Sequence, residues 1–326
     1  MQYLNREDAV CKITEYAVRK KPFLMVIDYL MNRNYVTDPE EALREGIFFN
    51  INGTTNSNES GLNSRDFSFE LFPVDFSSYK TAFDKVLYHL HRGDTYLINL
   101  TFPTPIRTTL SLKELFHRSH APYKLLFNDQ FVVFSPEIFI RISEDRIFSF
   151  PMKGTIDASK TDAENIIISD PKEFSEHNTI VDLIRNDLSM VSTGIKVNRF
   201  RYIDRIRTNR KELLQVSSEI SGVLNHDWRS CLGEILFTLL PAGSVTGAPK
   251  EKTCDIIREV ETYERGFYTG IFGYFNGEEL DTAVNIRFIE DTGQGMVFKS
   301  GGGITARSDV NKEYEELIQK VYVPLI

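Results

Sequence analysis

Two pairs of glutamates in this 326-residue sequence share one spacing. Glu173 and Glu176 are three residues apart, and Glu313 and Glu316 repeat that separation. Residues three apart on a helix lie on the same face, so each pair would direct two carboxylates the same way. Carboxylates brought together repel unless a cation neutralises them, and Mg²⁺ binds a few carboxylates plus substrate oxygens. The pairs therefore predict a magnesium site, with a solvated helix face as the alternative.

Lys153 is a candidate nucleophile. It lies in the segment 148–155 (FSFPMKGT), between apolar neighbours and a Gly-Thr turn. A lysine that loses its hydration has a lowered pKa, and its free amine can attack an electrophile. A lysine at the end of a strand can also extend its ammonium group into water. The local sequence leaves both interpretations open.

Glycine and arginine residues near the C-terminus indicate an anion site. Gly301, Gly302 and Gly303 follow a predicted strand, where backbone N–H groups could approach an anion closely. A plain turn is the alternative. Arg287 lies in the otherwise uncharged segment 282–287 (TAVNIR) of a predicted strand and would suit a carboxylate, unless it is simply exposed. Glu137 precedes another predicted strand and is a candidate acid or base.

The segment 243–250 (GSVTGAPK) is superficially similar to a phosphate-binding loop. A Walker loop needs Gly-Lys-Ser/Thr to be contiguous, and here Ala-Pro separates Gly247 from Lys250. This break argues against a nucleotide-binding enzyme. Thr246 and Gly247 are instead expected in a tight loop that faces a ligand.

The elements that must position these residues can be predicted from periodicity and turn signals. Asn276-Gly277 predicts a hairpin between strands over 267–275 and 280–289. Residues 52–64 are polar and predict a flexible loop. Strands and helices come in clusters rather than in strict alternation, which favours an α+β fold with largely antiparallel sheets. The predicted helices cover residues 78–91, 171–190, 228–239, 250–261 and 310–321, and other strands include 131–134, 138–142, 147–150 and 296–299.

The composition is that of a globular protein, with 41% hydrophobic and 12% aromatic residues. The formal net charge is −8 and there is no basic run, so nucleic acid is not expected as a partner. The 3 cysteines are widely spaced, which predicts neither a disulfide framework nor a zinc site and favours a reducing compartment. The N-terminus has no signal-peptide pattern, and no apolar run is long enough to span a bilayer. We therefore expect a cytoplasmic protein with no membrane contact.

Taken together, these segments resemble the chorismate-utilising enzymes, and most closely component I of aminodeoxychorismate synthase. The resemblance runs from about residue 77 to the end, and the matching segments stand in the family's order. They are 93–101 (GDTYLINLT), 135–139 (SPEIF), 151–155 (PMKGT), 176–187 (EHNTIVDLIRND), 243–250 (GSVTGAPK), 265–270 (RGFYTG), 301–304 (GGGI) and 313–316 (EYEE).

The resemblance implies a fold like that of anthranilate synthase component I, with two large, mostly antiparallel β-sheets packed together and helices outside. It implies a chorismate-binding catalytic domain over residues 77–326. Residues 1–76 would form a shortened N-terminal region of the same fold, lacking much of the tryptophan-binding part of related enzymes. Feedback by tryptophan is therefore not expected.

The resemblance also implies roles for individual residues. Glutamates at the positions of Glu176 and Glu316 hold Mg²⁺, which bridges to a chorismate carboxylate, and Glu173 and Glu313 support them. Glu137 matches the family's acid/base glutamate. The substrate carboxylates are received by the positions of Tyr268, Arg287, Lys320 and the backbone of Gly301, Gly302 and Gly303.

Two positions distinguish reactions within the family. Isochorismate and salicylate synthases have a water-activating lysine at the position of Leu97, which leucine cannot replace. Anthranilate synthases have a small residue at the position of Lys153, whereas aminodeoxychorismate enzymes have a lysine that is proposed to attack C2 of chorismate. Leu97 also replaces the usual glutamine of the first motif, and Gln215 stands where the family has histidine, so these two positions depart from the family's pattern.

The implied activity is conversion of chorismate and ammonia to 4-amino-4-deoxychorismate, for 4-aminobenzoate and folate synthesis. The ammonia would come from a separate glutaminase subunit. The alternatives are anthranilate synthase component I and a non-catalytic chorismate-binding homologue, and crowded carboxylates argue against the latter.

Overall fold

The computed structural model describes residues 2–57, 67–207 and 212–325. The helices are α1 (Arg6–Val18), α2 (Pro39–Arg44), α3 (Phe76–Arg92), α4 (Leu112–Arg118), α5 (Ala163–Ser169), α6 (Pro171–Ser189), α7 (Leu232–Leu239), α8 (Lys250–Val260) and α9 (Val310–Gln319). The strands of the first half are β1 (Phe23–Ile27), β2 (Asn34–Thr37), β3 (Ile47–Ile51), β4 (Thr54–Thr55), β5 (Phe69–Leu71), β6 (Leu97–Thr108), β7 (Tyr123–Phe127), β8 (Phe131–Ser135), β9 (Ile138–Ser143), β10 (Arg146–Ser149) and β11 (Met152–Asp157). Those of the second half are β12 (Thr193–Arg207), β13 (Glu212–Val223), β14 (Gly247–Ala248), β15 (Ile271–Phe275), β16 (Leu280–Val284), β17 (Phe288–Asp291) and β18 (Met296–Ile304).

The strands form two antiparallel sheets, each with nine strands within the described residues. The first sheet has the order β11-β13-β10-β9-β16-β15-β1-β2, and β12 also pairs with β13. The second has the order β14-β6-β18-β17-β8-β7-β3-β4, and β5 also pairs with β6. The predicted α+β class with two large antiparallel sheets is therefore confirmed.

The two sheets pack face to face through apolar side chains. Val26 and Phe272 of the first sheet share a buried cluster with Phe49, Leu125 and Phe131 of the second. Alternate residues of a strand point to opposite faces, so the other face of each sheet must be covered as well.

Helices cover those outer faces. On the first sheet, α1 and α7 contribute Ile13 and Leu236 to a cluster that includes Ile142. On the second sheet, α3 contributes Phe83 to a cluster with Leu100 of β6. Helix α3 begins at the N-cap Asp75 and ends before Gly93, which adopts φ 78°. Only glycine takes this left-handed conformation without steric cost, which explains the predicted end of the helix.

The N-terminal residues contribute strands to both sheets. Strand β1 pairs with β15 in the first sheet, and β3 pairs with β7 in the second. Of the predicted loop 52–64, residues 54–55 form β4 and residues 58–64 lie outside the described part of the chain.

The predicted hairpin at Asn276-Gly277 is confirmed, because β15 and β16 pair directly across it. The prediction of one strand over 280–289 is wrong. That segment divides into β16 of the first sheet and β17 of the second, with residues 285–287 crossing between them. Arg287 adopts φ 54°, which breaks the extended conformation at the crossing. Arg287 therefore lies in the link between the sheets rather than in a strand.

The end predicted for the strand over 296–299 is also wrong, because β18 continues through Gly303 to Ile304. Gly301, Gly302 and Gly303 pair with Thr101, Leu100 and Asn99 of β6. The three glycines thus belong to the strand itself rather than to a loop after it.

Candidate active site

A cavity opens at the end of the second sheet, where β6 and β18 meet β11, α6 and the crossing link. It encloses about 990 Å³, including the part open to solvent. The lining residues are Leu97, Asn99, Glu137, Met152, Lys153, Glu176, Thr179, Ile180, Ser244, Val245, Gly247, Tyr268, Ile286, Arg287, Phe298, Lys299, Ser300, Gly301, Gly303, Thr305 and Lys320.

Most of the residues predicted from the sequence line this one cavity, although they come from distant segments. Glu173, Glu313, Glu316 and Gly302 do not form its wall. Thr246 is also outside the wall, because its side chain is fully buried beneath the loop. A Cβ on Gly302 would lie 3.7–3.9 Å from atoms of Glu313, Lys320 and Glu316, so the ends of these side chains lie beside the glycine strand.

Lys153 lies on β11 and faces Glu176 on α6. The Lys153 Nζ lies 2.8 Å from the Glu176 Oε2, and the Lys153 side chain is 26% exposed. Burial alone would lower the pKa of Lys153. The carboxylate of Glu176, with further contributions from Glu316 and Glu173, outweighs burial and raises that pKa above its ordinary value. The expectation of a lowered pKa is therefore wrong for this state of the site, and the lysine is an ammonium.

The turn after Lys153 brings a second carboxylate close to the backbone. Gly154 adopts φ 82°, and a Cβ there would lie 2.8 Å from the Glu173 Oε2. Only glycine leaves room for this approach and tolerates this conformation. Glycine at 154 thus allows Glu173 to lie beside β11.

Lys320 forms a second ion pair, with Glu316 of α9. Its Nζ lies 2.7 Å from the Glu316 Oε1 and donates to the Gly301 carbonyl at 2.9 Å. Burial lowers the pKa of Lys320, and the nearby positive charges of Lys153 and Arg287 act in the same direction.

Glu137 faces the cavity from the turn between β8 and β9. The Ser244 hydroxyl donates to the Glu137 Oε1. Burial raises the pKa of Glu137, although Ser244, Lys320 and Lys153 act against the rise. A carboxyl group with a raised pKa keeps its proton to higher pH, which suits a general acid.

Tyr268 and Arg287 form the opposite side of the cavity. Tyr268 is only 3% exposed and follows a turn in which its N–H donates to the Arg265 carbonyl. The Arg287 guanidinium donates to the Lys320 carbonyl and lies over the Tyr322 ring. These contacts fix the crossing link and present a cation to the cavity.

The carboxylates can be tested as magnesium ligands. Among the described residues there is no group of three or more His, Cys, Asp and Glu side chains that could hold a metal ion. However, Glu176 of α6 and Glu316 of α9 both interact electrostatically with the Lys153 ammonium. The ammonium thus supplies the positive charge that a metal ion would supply to these carboxylates. Mg²⁺ needs only one or two carboxylates when a substrate supplies further oxygens, so this donor set fits the ion.

Sequence reasoning missed several lining residues, among them Ser244 and Lys299. Ser244 lies in a segment that was recognised, and only the fold shows that it contacts Glu137. Lys299 is a buried residue of the cavity wall, and strand alternation with Gly301 and Gly303 could have identified it.

Comparisons with known proteins identify the family of the chain. The family model of the chorismate binding enzyme matches residues 26–325. The chain belongs to this family.

Among its relatives, an "Uncharacterized PabA-like protein" of Haemophilus influenzae is 49% identical, with 95% of this chain and 94% of that protein covered. Aminodeoxychorismate synthase component 1 of Bacillus subtilis is 29% identical, over 77% of this chain and 55% of that one. The solved structure of anthranilate synthase component I from Streptococcus pneumoniae has a TM-score of 0.67 at 25% identity, covering 80% of this chain and 60% of that one. The anthranilate synthase-like fold is thus confirmed.

No helix in the described part of the chain is long and apolar enough to cross a membrane.

Proposed function

We propose that this protein is component I of aminodeoxychorismate synthase. It would convert chorismate and ammonia to 4-amino-4-deoxychorismate. The observation that carries the proposal is the position of Lys153, whose Nζ would lie only 3.6 Å from a Cβ placed on Gly303 in the cavity wall. An amine at that position can reach a ring held against the glycine strand.

The charge of the cavity supports a dianionic substrate such as chorismate. Its wall carries four cationic side chains, Lys153, Arg287, Lys299 and Lys320. It carries two acidic ones, Glu137 and Glu176, so cationic side chains outnumber acidic ones in the wall. Substrate carboxylates would be attracted to these cations within a partly desolvated site, where charged hydrogen bonds are strong.

In the proposed reaction the Lys153 amine attacks C2 of chorismate as the C4 hydroxyl leaves. Glu137 gives its proton to that hydroxyl, which departs as water. Ammonia then attacks C4, the bond between C2 and lysine breaks, and a proton from the ammonium adduct restores the acid. The net change exchanges a hydroxyl for an amino group and releases one water. Forming a covalent intermediate divides one difficult substitution into two easier ones.

Lys153 must lose both its proton and its ion pair with Glu176 before it can attack, because only the free amine is nucleophilic. Glu176 and Glu316, supported by Glu173 and Glu313, would hold Mg²⁺. When bound, the ion neutralises these carboxylates and polarises a substrate carboxylate. Tyr268, Arg287, Lys320 and the backbone of the glycine strand would orient the substrate.

Leu97 supports amination rather than hydration. It lines the cavity and would lie 3.2 Å from a Cβ placed on Gly303. An alkyl side chain cannot remove a proton from water, so water at this position is not activated. The ammonia would come from a glutaminase partner, and an ammonium salt should replace that partner in the assay.

The proposal is tested by incubating the protein with chorismate, Mg²⁺ and an ammonium salt at alkaline pH, followed by chromatography and mass analysis. We expect 4-amino-4-deoxychorismate, which becomes 4-aminobenzoate only when a lyase is added. Fluorescent anthranilate and pyruvate without a lyase would instead assign the protein as anthranilate synthase component I. Lack of any turnover, with no change in melting temperature on adding chorismate and Mg²⁺, would favour a non-catalytic homologue.

A further inference from the structure

Lys299 is a buried cation in the cavity wall to which the proposed reaction assigns no chemical step. It is 4% exposed and lies on β18. Alternate residues of a strand share a face, so Lys299 points to the same side as Gly301 and Gly303. Lysine is almost never fully buried unless its ammonium is paired. The partners of Lys299 therefore indicate what it does.

The Lys299 ammonium joins two segments that the chain separates. Its Nζ lies 2.6 Å from the Glu290 Oε2 on β17. It also donates to the carbonyl of Arg265 at 3.0 Å and, at 3.4 Å, to that of Glu264. The Arg265 carbonyl is the same oxygen that accepts the Tyr268 N–H at 3.1 Å. One carbonyl thus links the lysine directly to the tyrosine of the cavity wall.

The Arg265 side chain fixes the other end of this turn. It donates to the Val245 carbonyl at 2.9 Å and to the Asn99 carbonyl at 2.6 Å, and both residues line the cavity. Its ion pair with Glu261 is buried, with 2% exposure of each side chain. The Arg265 side chain therefore holds the turn on one side, and Lys299 holds it on the other.

We propose that Lys299 is a positioning residue for substrate binding, which acts through the turn at Arg265 to hold Tyr268 against the substrate carboxylate. This inference rests on the proposed function only in taking Tyr268 as a carboxylate ligand. The ammonium supports the turn from behind and does not touch the reacting atoms. Hydrogen bonds from a charged donor are stronger than those from a neutral donor, so losing the bonds from Lys299 to the carbonyls would let the turn relax.

The first test is steady-state kinetics with chorismate, using Lys299→Met and the exposed Lys85→Met of α3 as the matched control. For Lys299→Met, the KM for chorismate should rise about tenfold with kcat changed less than about twofold, since substrate binding rather than chemistry is weakened. Lys299→Gln keeps an N–H donor and should recover part of the loss. For Glu290→Gln, the KM for chorismate should stay within about twofold of the wild-type value, because the Arg265 and Glu264 carbonyls still accept hydrogen bonds from the lysine.

An unchanged KM in a folded Lys299→Met variant would overturn the inference. So would an equal loss in Lys299→Met and Glu290→Gln, because the ion pair would then serve only to join β17 and β18.

The second test is a crystal structure of the Lys299→Met or, if that variant does not fold, the Lys299→Gln protein. We expect the Tyr268 hydroxyl to move by about 1 Å, a displacement large enough to weaken binding. An unmoved Tyr268 would overturn the inference whatever the substrate is. By contrast, if the wild-type protein did not turn over chorismate, the proposed function would be excluded but the structural role of Lys299 would still hold.

Discussion

The three consecutive glycines of β18 should respond very differently to substitution by alanine. A Cβ on Gly301 would lie 2.5 Å from the Thr101 Cγ2 and 2.7 Å from the Leu100 carbonyl oxygen. Gly301 pairs with Thr101 in the sheet, so one strand would have to move. Overpacking of this kind costs roughly 1–3 kcal/mol. Gly301→Ala should therefore lower the free energy of unfolding by about that amount.

Gly303→Ala should instead leave stability nearly unchanged and reduce activity. Its Cβ would meet the end of the Leu97 side chain at 3.2 Å and the Lys153 Nζ at 3.6 Å. Both are ends of flexible side chains that can shift, so the loss of stability should stay below about 1 kcal/mol. The added methyl group would, however, fill the space between the strand and the amine. We expect kcat/KM to fall at least about tenfold.

Urea denaturation and steady-state kinetics of both variants test this reasoning. Gly302→Ala is the matched control for stability, because its Cβ would meet only carboxylate and ammonium ends at 3.7–3.9 Å, ordinary contact distances. If Gly303→Ala keeps wild-type kcat/KM, the substrate does not lie against the glycine strand beside Lys153. If Gly301→Ala is as stable as Gly303→Ala, the pairing of β18 with β6 differs from that described.

The other predictions concern the ionisable groups. Lys153→Ala should reduce 4-amino-4-deoxychorismate formation about 100-fold or more and release some anthranilate-like activity, and unchanged turnover would remove the nucleophile role. Glu137→Gln should lower kcat by about 10²–10⁴-fold and remove the loss of activity that accompanies deprotonation at high pH; a kcat within twofold of wild type would exclude the acid role. Burial raises the pKa of Glu137, so the folded protein keeps this proton at a pH where the unfolded chain has lost it. The free energy of unfolding should therefore fall as pH rises above 4.5. In urea unfolding measured against pH, Glu137→Gln should abolish the contribution of Glu137 to that slope. Burial lowers the pKa of His177 from 6.5 to about 4, so stability should fall by up to about 3 kcal/mol as pH drops through that window, and an unchanged slope in His177→Gln would contradict this.

The predicted helices α3, α6 and α9 could be read from the sequence because local signals define them. Asp75 and Asp309 accept N–H groups of the first turn, as N-cap residues do, and Gly93 ends α3. The hairpin at Asn276-Gly277 was likewise local, since two residues of this type specify the turn. Such local sequence signals specify the same element in any tertiary structure.

The crossing at Arg287 could not be predicted in this way. Its positive φ occurs where two sheets must be joined, and the preceding residues 282–286 have the uncharged composition of a strand. The pKa of Lys153 depends on Glu176, which is 23 residues away in sequence and 2.8 Å away in space. The apolar neighbours of Lys153 indicated burial, whereas only the fold supplies the carboxylate that outweighs it.

Placement of the amino group tests the central claim most directly. Wild-type protein is incubated with chorismate, Mg²⁺ and ¹⁵N-ammonium, and the product is examined by NMR, with Lys153→Ala and Lys85→Met as paired variants. We predict ¹⁵N bonded to ring C4 with the enolpyruvyl group retained, in wild type and Lys85→Met, and little of this product in Lys153→Ala. Label at C2 with release of pyruvate, or C4 label that does not depend on Lys153, would contradict the account.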